Sequence, residues 1–264
     1  IQEGTYKYIP YCNLFRRTEF LDVEGYGRFE GYSNRDSLKY RSVYGLDDVL
    51  TFYRGTIRKV GFSKAWNMFV QLGMTDDSYI MEDSENMSYR EFVNSFLPYH
   101  PTDSVEIKTR LILKIDQDDI MWDKLLELDL FNRNKIVGLK NATPAQMLEK
   151  ILSDSWTLQP DDKDMIVMYH KFGYEDKGEK KQIDSKMVCI GADQTYTAMA
   201  KTVGLPVAMA TLLILNGKIR TPGVQLPIRK EVYLPILKEL EEYGVVFKEQ
   251  EMPYLGYNPD KVFN

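Results

Sequence analysis

Six Lys and Arg side chains, at positions 35, 39, 41, 54, 58 and 59, fall between Ser33 and Lys59, against three acids, Asp36, Asp47 and Asp48. The whole chain carries a net charge of -5, so this interval is a positive patch in an acidic protein. A guanidinium is planar, and its donors form a fork that matches the two oxygens of a carboxylate. Clustered arginines therefore point to a carboxylate-bearing ligand. On charge alone an ordinary solvated surface is the preferred reading. A third reading puts Arg35 and Arg58 in structural ion pairs with Asp36, Asp47 or Asp48.

Other chemistry is thinly represented. His100 and His170 lie far from each other and from Cys12 and Cys189 in sequence, so metal-ligand spacing is absent. His170 alternates with apolar residues and reads as a core or sheet-edge histidine. Two cysteines are too few for a disulfide framework and read as buried thiols in a reducing cytoplasm. There is no Gly-x-Ser-x-Gly and no phosphate loop. Gly25-Tyr26-Gly27 lacks the third glycine of a dinucleotide loop, and Glu30 stands in its place, so these glycines read as a turn between strands. The acidic runs 116–119 and 161–164 border helices and read as caps. A pI near 5.3 argues against nucleic acid and anionic membrane as partners. No apolar run approaches the roughly 20 residues of a membrane helix.

The elements that must position the arginines follow from periodicity. Residues 1–32 read as extended, with Tyr6, Tyr8, Phe20, Val23, Phe29 and Tyr32 as strand formers. From about residue 60 the period becomes helical. Ser63 is expected to cap a helix over 64–72, and Ser88 with Glu91 forms a capping box. Segments 103–115 and 119–130 add two helices. Thr143-Pro144-Ala145-Gln146 is the clearest helix start in the chain. Strands return at 165–172 and 181–190, around a turn at Asp176-Lys177-Gly178. Thr195 or Thr197 caps the next helix, Pro206 starts or kinks another, and 229–243 is amphipathic. Val245-Val246-Phe247 reads as a short strand and 251–264 as loop. A strand–helices–strand order predicts an α/β fold, an α+β domain with a mixed sheet, into which a helical block is inserted.

Two stretches carry a more specific signal. Ser33-Asn34-Arg35-Asp36-Ser37, followed by Arg54-Gly55-Thr56-Ile57-Arg58 and Gly61, resembles the glutamate-forming saccharopine dehydrogenases. Their pattern is Pro-Asn-Arg-Asp-Ser, then Arg-Gly-Thr-Leu-Arg-Tyr-x-Gly. Downstream, Thr195-Tyr196-Thr197-Ala198-Met199-Ala200-Lys201-Thr202-Val203-Gly204-Leu205-Pro206 is similar to the family's Gly-[Tyr/Phe]-Ser-Ala-Met-Ala-Lys-Thr-Val-Gly-x-Pro. Asn216-Gly217-Lys218, Gly223-Val224 and Pro227 follow at family spacing. Ser33 stands for Pro, and Thr197 for the usual Ser, which keeps the hydroxyl.

The resemblance implies a truncated Rossmann-type dehydrogenase. Residues 1–59 and 160–205 would form the substrate domain, 60–159 the inserted all-helical domain, and 206–264 a segment returning to a Rossmann domain. That domain and the family's proton-transfer residues would precede Ile1; the start, without Met, reads as an excised piece. In lysine metabolism such an enzyme interconverts saccharopine with glutamate and aminoadipate semialdehyde by hydride transfer with NAD or NADP. Carried over position by position, Arg35 and Arg58 would grip carboxylates, while Thr56 and the backbone of Ile57 would each give a hydrogen bond. No catalytic, nucleotide-binding or metal-binding residue is expected in this piece, nor cofactor binding or turnover. A homodimer in the cytoplasm is expected. The alternatives are a non-catalytic module binding a small amino acid or a protein partner, and a related enzyme such as carboxynorspermidine or lysine dehydrogenase.

Overall fold

The computed structural model describes residues 1–256 and 262–263. Its first sheet takes three strands from the amino-terminal region. Strands β1 (Thr18–Val23) and β2 (Gly27–Ser33) pair antiparallel through a three-residue connection, and β3 (Gly55–Lys59) adds to β2. Gly25 and Gly27 take φ of 78° and 84°, which a side chain would strain, so the glycine pair serves this turn. A fourth strand, Val262–Phe263, pairs with β1. The expected extended start is interrupted by a short helix, α1 (Tyr11–Leu14); a second short helix, α2 (Tyr40–Val43), lies between β2 and β3.

The helical block has five helices: α3 (Phe62–Leu72), α4 (Tyr89–Ser95), α5 (Val105–Leu113), α6 (Ile120–Glu127) and α7 (Pro144–Trp156). Their starts are mostly local chemistry. Ser88 and Thr143 form complete capping boxes with Glu91 and Gln146, and Asp119 accepts from the Met121 N–H at 2.8 Å. Ser63 does not cap α3. The helix begins two residues earlier than expected, from Gly61 at φ 100°, and Ser63 is buried in its first turn. The Ser63 N–H instead donates 2.5 Å to the carboxylate of Glu30, a buried residue reaching across from β2. A helix start left without a local cap takes its acceptor from wherever the fold brings one. Phe92, Met74, Met147 and Ile151 are completely buried at the centre of this block.

The second sheet is β4 (Met165–Asp176), β5 (Glu179–Ile190) and β6 (Lys248–Met252), in that order and antiparallel throughout. Lys177 and Gly178 take φ of 53° and 83°, the two left-handed positions of a tight primed turn, so β4 and β5 pair over their full length. Every strand pair in both sheets is antiparallel, which corrects the expected mixed sheet: the described strands meet as hairpins and meanders. Helix α8 (Leu205–Leu215) follows a π-helical turn at Ala200–Gly204. Pro206 lacks an N–H and would crowd the preceding turn, and the wider turn before it accommodates the ring. Helix α9 (Lys230–Glu242) packs on α8, with Met209, Leu213, Ile236, Leu240 and Val245 in one core with Met187 and Cys189 of β5.

Val245–Phe247 is not a strand. Val245 joins the core after Gly244, and the strand is the more polar Lys248–Met252, aligned by backbone pairing to β5 rather than by its own hydrophobicity. The expected terminal loop is likewise wrong at 251–252 and 262–263, while 257–261 and 264 lie outside the described residues. Cys189 is buried as expected, but Cys12 is exposed.

Candidate functional site

Strand β3 closes one end of the first sheet, and among the described residues no strand pairs with its other edge. The Asn34 N–H donates 2.9 Å to the Arg54 carbonyl, which continues the β2–β3 ladder one step and fixes its alternation. Positions 54, 56 and 58 turn their backbone groups toward β2. Ile57 turns its N–H and C=O toward the open edge. The side-chain period of two places Arg54, Thr56 and Arg58 on one face, opposite Tyr32 and Glu30 of β2.

On that face the Thr56 hydroxyl donates 3.0 Å to the side chain of Asn34. The Arg58 guanidinium donates 3.1 Å to the Ile57 carbonyl and lies over the Phe62 ring at 5.4 Å. Phe62 is stacked between Tyr32 and Trp66 at 6.3 and 5.7 Å. Arg35 follows Asn34 in the exposed loop after β2. The structure thus gathers Thr56, Ile57 and Arg58 on β3 and holds Asn34 beside them. Arg35 sits past the end of the ladder, in the bend that follows it.

The six cations of the interval divide by use. Arg41 donates to the carbonyls of Leu46, Asp47 and Val49 and holds the loop before β3. Lys59 donates 2.9 Å to the Tyr26 carbonyl. Asp36 accepts from the Leu38 N–H, and Asp47 from the Ser42 hydroxyl. Among the described residues neither Arg35 nor Arg58 pairs with Asp36, Asp47 or Asp48, so the structural ion pairs weighed from the sequence are not formed.

Two cavities, of about 370 and 560 Å³, lie elsewhere, by Tyr11 and Thr75, and contain none of these four residues. His170 is half-buried in β4, stacked on Phe172 at 5.9 Å and tilted against Phe247 at 5.7 Å. Burial pushes its pKa down, which favours the neutral ring. The Tyr169 hydroxyl donates 2.5 Å to the buried carboxylate of Asp184; burial, then that carboxylate, push the phenol pKa up. Among the described residues no group of three or more His, Cys, Asp or Glu is arranged to hold a metal, and no helix is long and apolar enough to cross a membrane.

The downstream stretch is organised by Asp164. Its carboxylate accepts from the N–H of Ala198 and Met199 at 2.6 and 2.9 Å, and the Thr197 hydroxyl accepts from Ala200 at 2.9 Å. Thr197, not Thr195, is therefore the cap. Gly191 passes so close that a Cβ there would lie 2.2 Å from Asp164 Oδ1. Two signals were passed over in the sequence. Asn34 stands in the quoted motif without a role, and Arg54 shares the period-two spacing of Thr56 and Arg58.

The profile described as "Saccharopine dehydrogenase C-terminal domain" matches residues 1–245. The chain belongs to the saccharopine dehydrogenase family. It is 34% identical over 235 residues to saccharopine dehydrogenase [NADP(+), L-glutamate-forming] of Saccharomyces cerevisiae, covering 84% of this chain and 51% of the relative. It is 35% identical over 228 residues to the mitochondrial alpha-aminoadipic semialdehyde synthase of Rattus norvegicus, covering 84% of this chain and 24% of that one. A solved structure, apo histidine-tagged saccharopine dehydrogenase (L-Glu forming) from Saccharomyces cerevisiae, superposes with a TM-score of 0.81 at 28% identity, over 96% of this chain and 58% of its own. The chain thus spans between about a quarter and about three fifths of these proteins. The matched region, residues 1–245, is the family's C-terminal domain.

Proposed function

We propose that this chain is the substrate-gripping part of a saccharopine dehydrogenase. Arg35 and Arg58 bind carboxylates of saccharopine or glutamate, the Thr56 hydroxyl gives a hydrogen bond, and the Ile57 N–H gives another from the open edge. The observation that carries this is the edge strand itself. It presents a hydroxyl and a guanidinium on one face and an amide at the rim, and among the described residues neither Arg35 nor Arg58 forms an ion pair, although Glu30 stands across the ladder from Arg58.

The one glycine pair spaced for a dinucleotide loop does not form one. The Gly25–Gly27 pair turns a hairpin, and β2 rather than a helix follows it. The nicotinamide, NAD or NADP, and the proton transfers belong in this reading to a Rossmann domain outside the chain. Residues 1–59 and 160–205 are the substrate domain, 60–159 the inserted helical domain, and 206–264 the segment that returns to the Rossmann domain. A core of its own within 68–152 supports the helical domain. The second core joins 187–198 to 209–245 across the 205/206 boundary, so what supports a returning segment is the outward face of α8, where Val207 and Leu212 are 65% and 54% exposed. The same reading makes the protein a cytoplasmic homodimer, and the mitochondrial rat relative names the competing compartment.

In the whole enzyme that carries this chain, Arg58→Ala or Arg35→Ala removes a partly desolvated, charge-assisted contact of about 2–4 kcal/mol. The expected loss is about 30- to 1000-fold in kcat/KM for saccharopine, with little change in melting temperature. Lys at either position restores only part of it. Unchanged kcat/KM in both variants removes the reading; a lowered melting temperature with normal kinetics restores the structural one.

A further inference from the structure

We infer that Arg54 is a further carboxylate-binding residue of this site, held in place by Tyr40. The inference rests on the proposed function and extends it to a residue given no role in the sequence reading. The Asn34–Arg54 backbone bond continues the ladder, so Arg54 projects on the same face as Thr56 and Arg58. Its guanidinium lies over the Tyr40 ring at 3.8 Å, and Tyr40 is stacked on Tyr44 at 6.2 Å with 19° between planes. Arg54 is half-buried, and no carboxylate among the described residues pairs with it. A stacked guanidinium keeps its in-plane N–H groups free and has already lost much of its rotamer freedom, which suits it to a carboxylate fork.

A second cation shares the ring. Lys39 Nζ lies 5.6 Å from the same centroid. The two positive charges are therefore within roughly 10 Å, about one Debye length at 0.1 M salt, and neither forms an ion pair among the described residues. An anion placed there relieves that repulsion. Arg54 and Arg58 repeat one device on either side of Thr56, each guanidinium over an aromatic ring. Four residues of strand separate them by about 13 Å. The two outermost carboxylates of extended saccharopine, ten bonds apart, are separated by about 12 Å. A backbone spacing of that order lets the two side chains take different carboxylates of one extended ligand.

The test uses the whole protein that carries this chain. Isothermal titration compares saccharopine with its three mono-amides, each lacking the charge of one carboxylate, in wild type, Arg54→Met, Arg54→Lys, Tyr40→Leu and Arg58→Ala. Arg54→Met should weaken saccharopine about 10- to 100-fold and leave one mono-amide nearly unaffected. Tyr40→Leu should weaken saccharopine about 3- to 10-fold, with the same mono-amide spared. Arg54→Lys keeps the charge and guards against a folding defect; it should show the Met pattern at lower amplitude. If Arg58→Ala loses affinity while both Arg54 variants bind as wild type, the inference falls and the proposed function stands. A loss in the Arg54 variants that is equal for all four ligands also overturns it, because a structural arginine does not distinguish them. If neither arginine matters, or wild type does not bind saccharopine, both readings fall.

Discussion

Replacing Asp164 by Ala should loosen the chain at the start of the helix that opens at Ala198. The carboxylate takes two N–H groups at a helix N-terminus, at 2.6 and 2.9 Å, and is only partly exposed. A lost cap costs about 1–2 kcal/mol, and hydrogen bonds to a charged group about 1.5–3 kcal/mol each before water replaces part of the loss. About 2 kcal/mol is therefore expected. At about 2.1 cal/mol/K per residue, a chain of this length has an unfolding entropy near 0.55 kcal/mol/K, so the melting temperature should fall by about 3–4 °C. Gly191→Ala supplies an independent probe. Its Cβ would stand 2.2 Å from Asp164 Oδ1 and 2.9 Å from the Ala198 nitrogen, so it should expel the carboxylate and also press on the backbone. The two changes share one target, and the double variant should be less destabilised than the sum of the singles by about 1–2 kcal/mol. Thermal melts followed by circular dichroism, with amide exchange at Ala198 and Met199, measure this. A melting point for Asp164→Ala within 1 °C of wild type, with unchanged exchange at those amides, would refute the reasoning.

Acid should act through Glu106. Its hydrogen bonds with Arg90 hold the carboxyl at about 2, below the ordinary 4.5. A depressed folded value contributes stability that is complete above pH 4.5 and lost as pH falls toward 2. Both groups touch solvent, so we expect about 1–2 kcal/mol, seen as a fall in wild-type melting temperature over that window that Glu106→Gln flattens. Thr143→Ala should destabilise the helical block by about 1 kcal/mol, because it removes half of a complete capping box and a 2.6 Å bond to Asp77; a urea midpoint unchanged from wild type counts against this.

Local chemistry was legible where the deciding partner is near in sequence. The capping boxes at Ser88 and Thr143, the Lys177-Gly178 turn and the alternating hairpin strands each follow from a few consecutive residues. The family motifs likewise marked Arg35, Thr56, Ile57 and Arg58 as the residues to examine. What lies between distant segments was not legible. The cap of α3 is Glu30, 33 residues before Ser63. The cap at Ala198 is completed by Asp164, 34 residues earlier. Strand β6 is polar and exists because β5 offers it a backbone ladder, whereas the apolar Val245–Phe247 ahead of it makes no strand. The direction of strand pairing, the edge that carries the Ile57 amide and the rings beneath Arg54 and Arg58 are properties of the assembled fold. Side-chain type states what a residue can bind; only tertiary packing decides which groups lack a partner, and those are the groups left to meet a ligand.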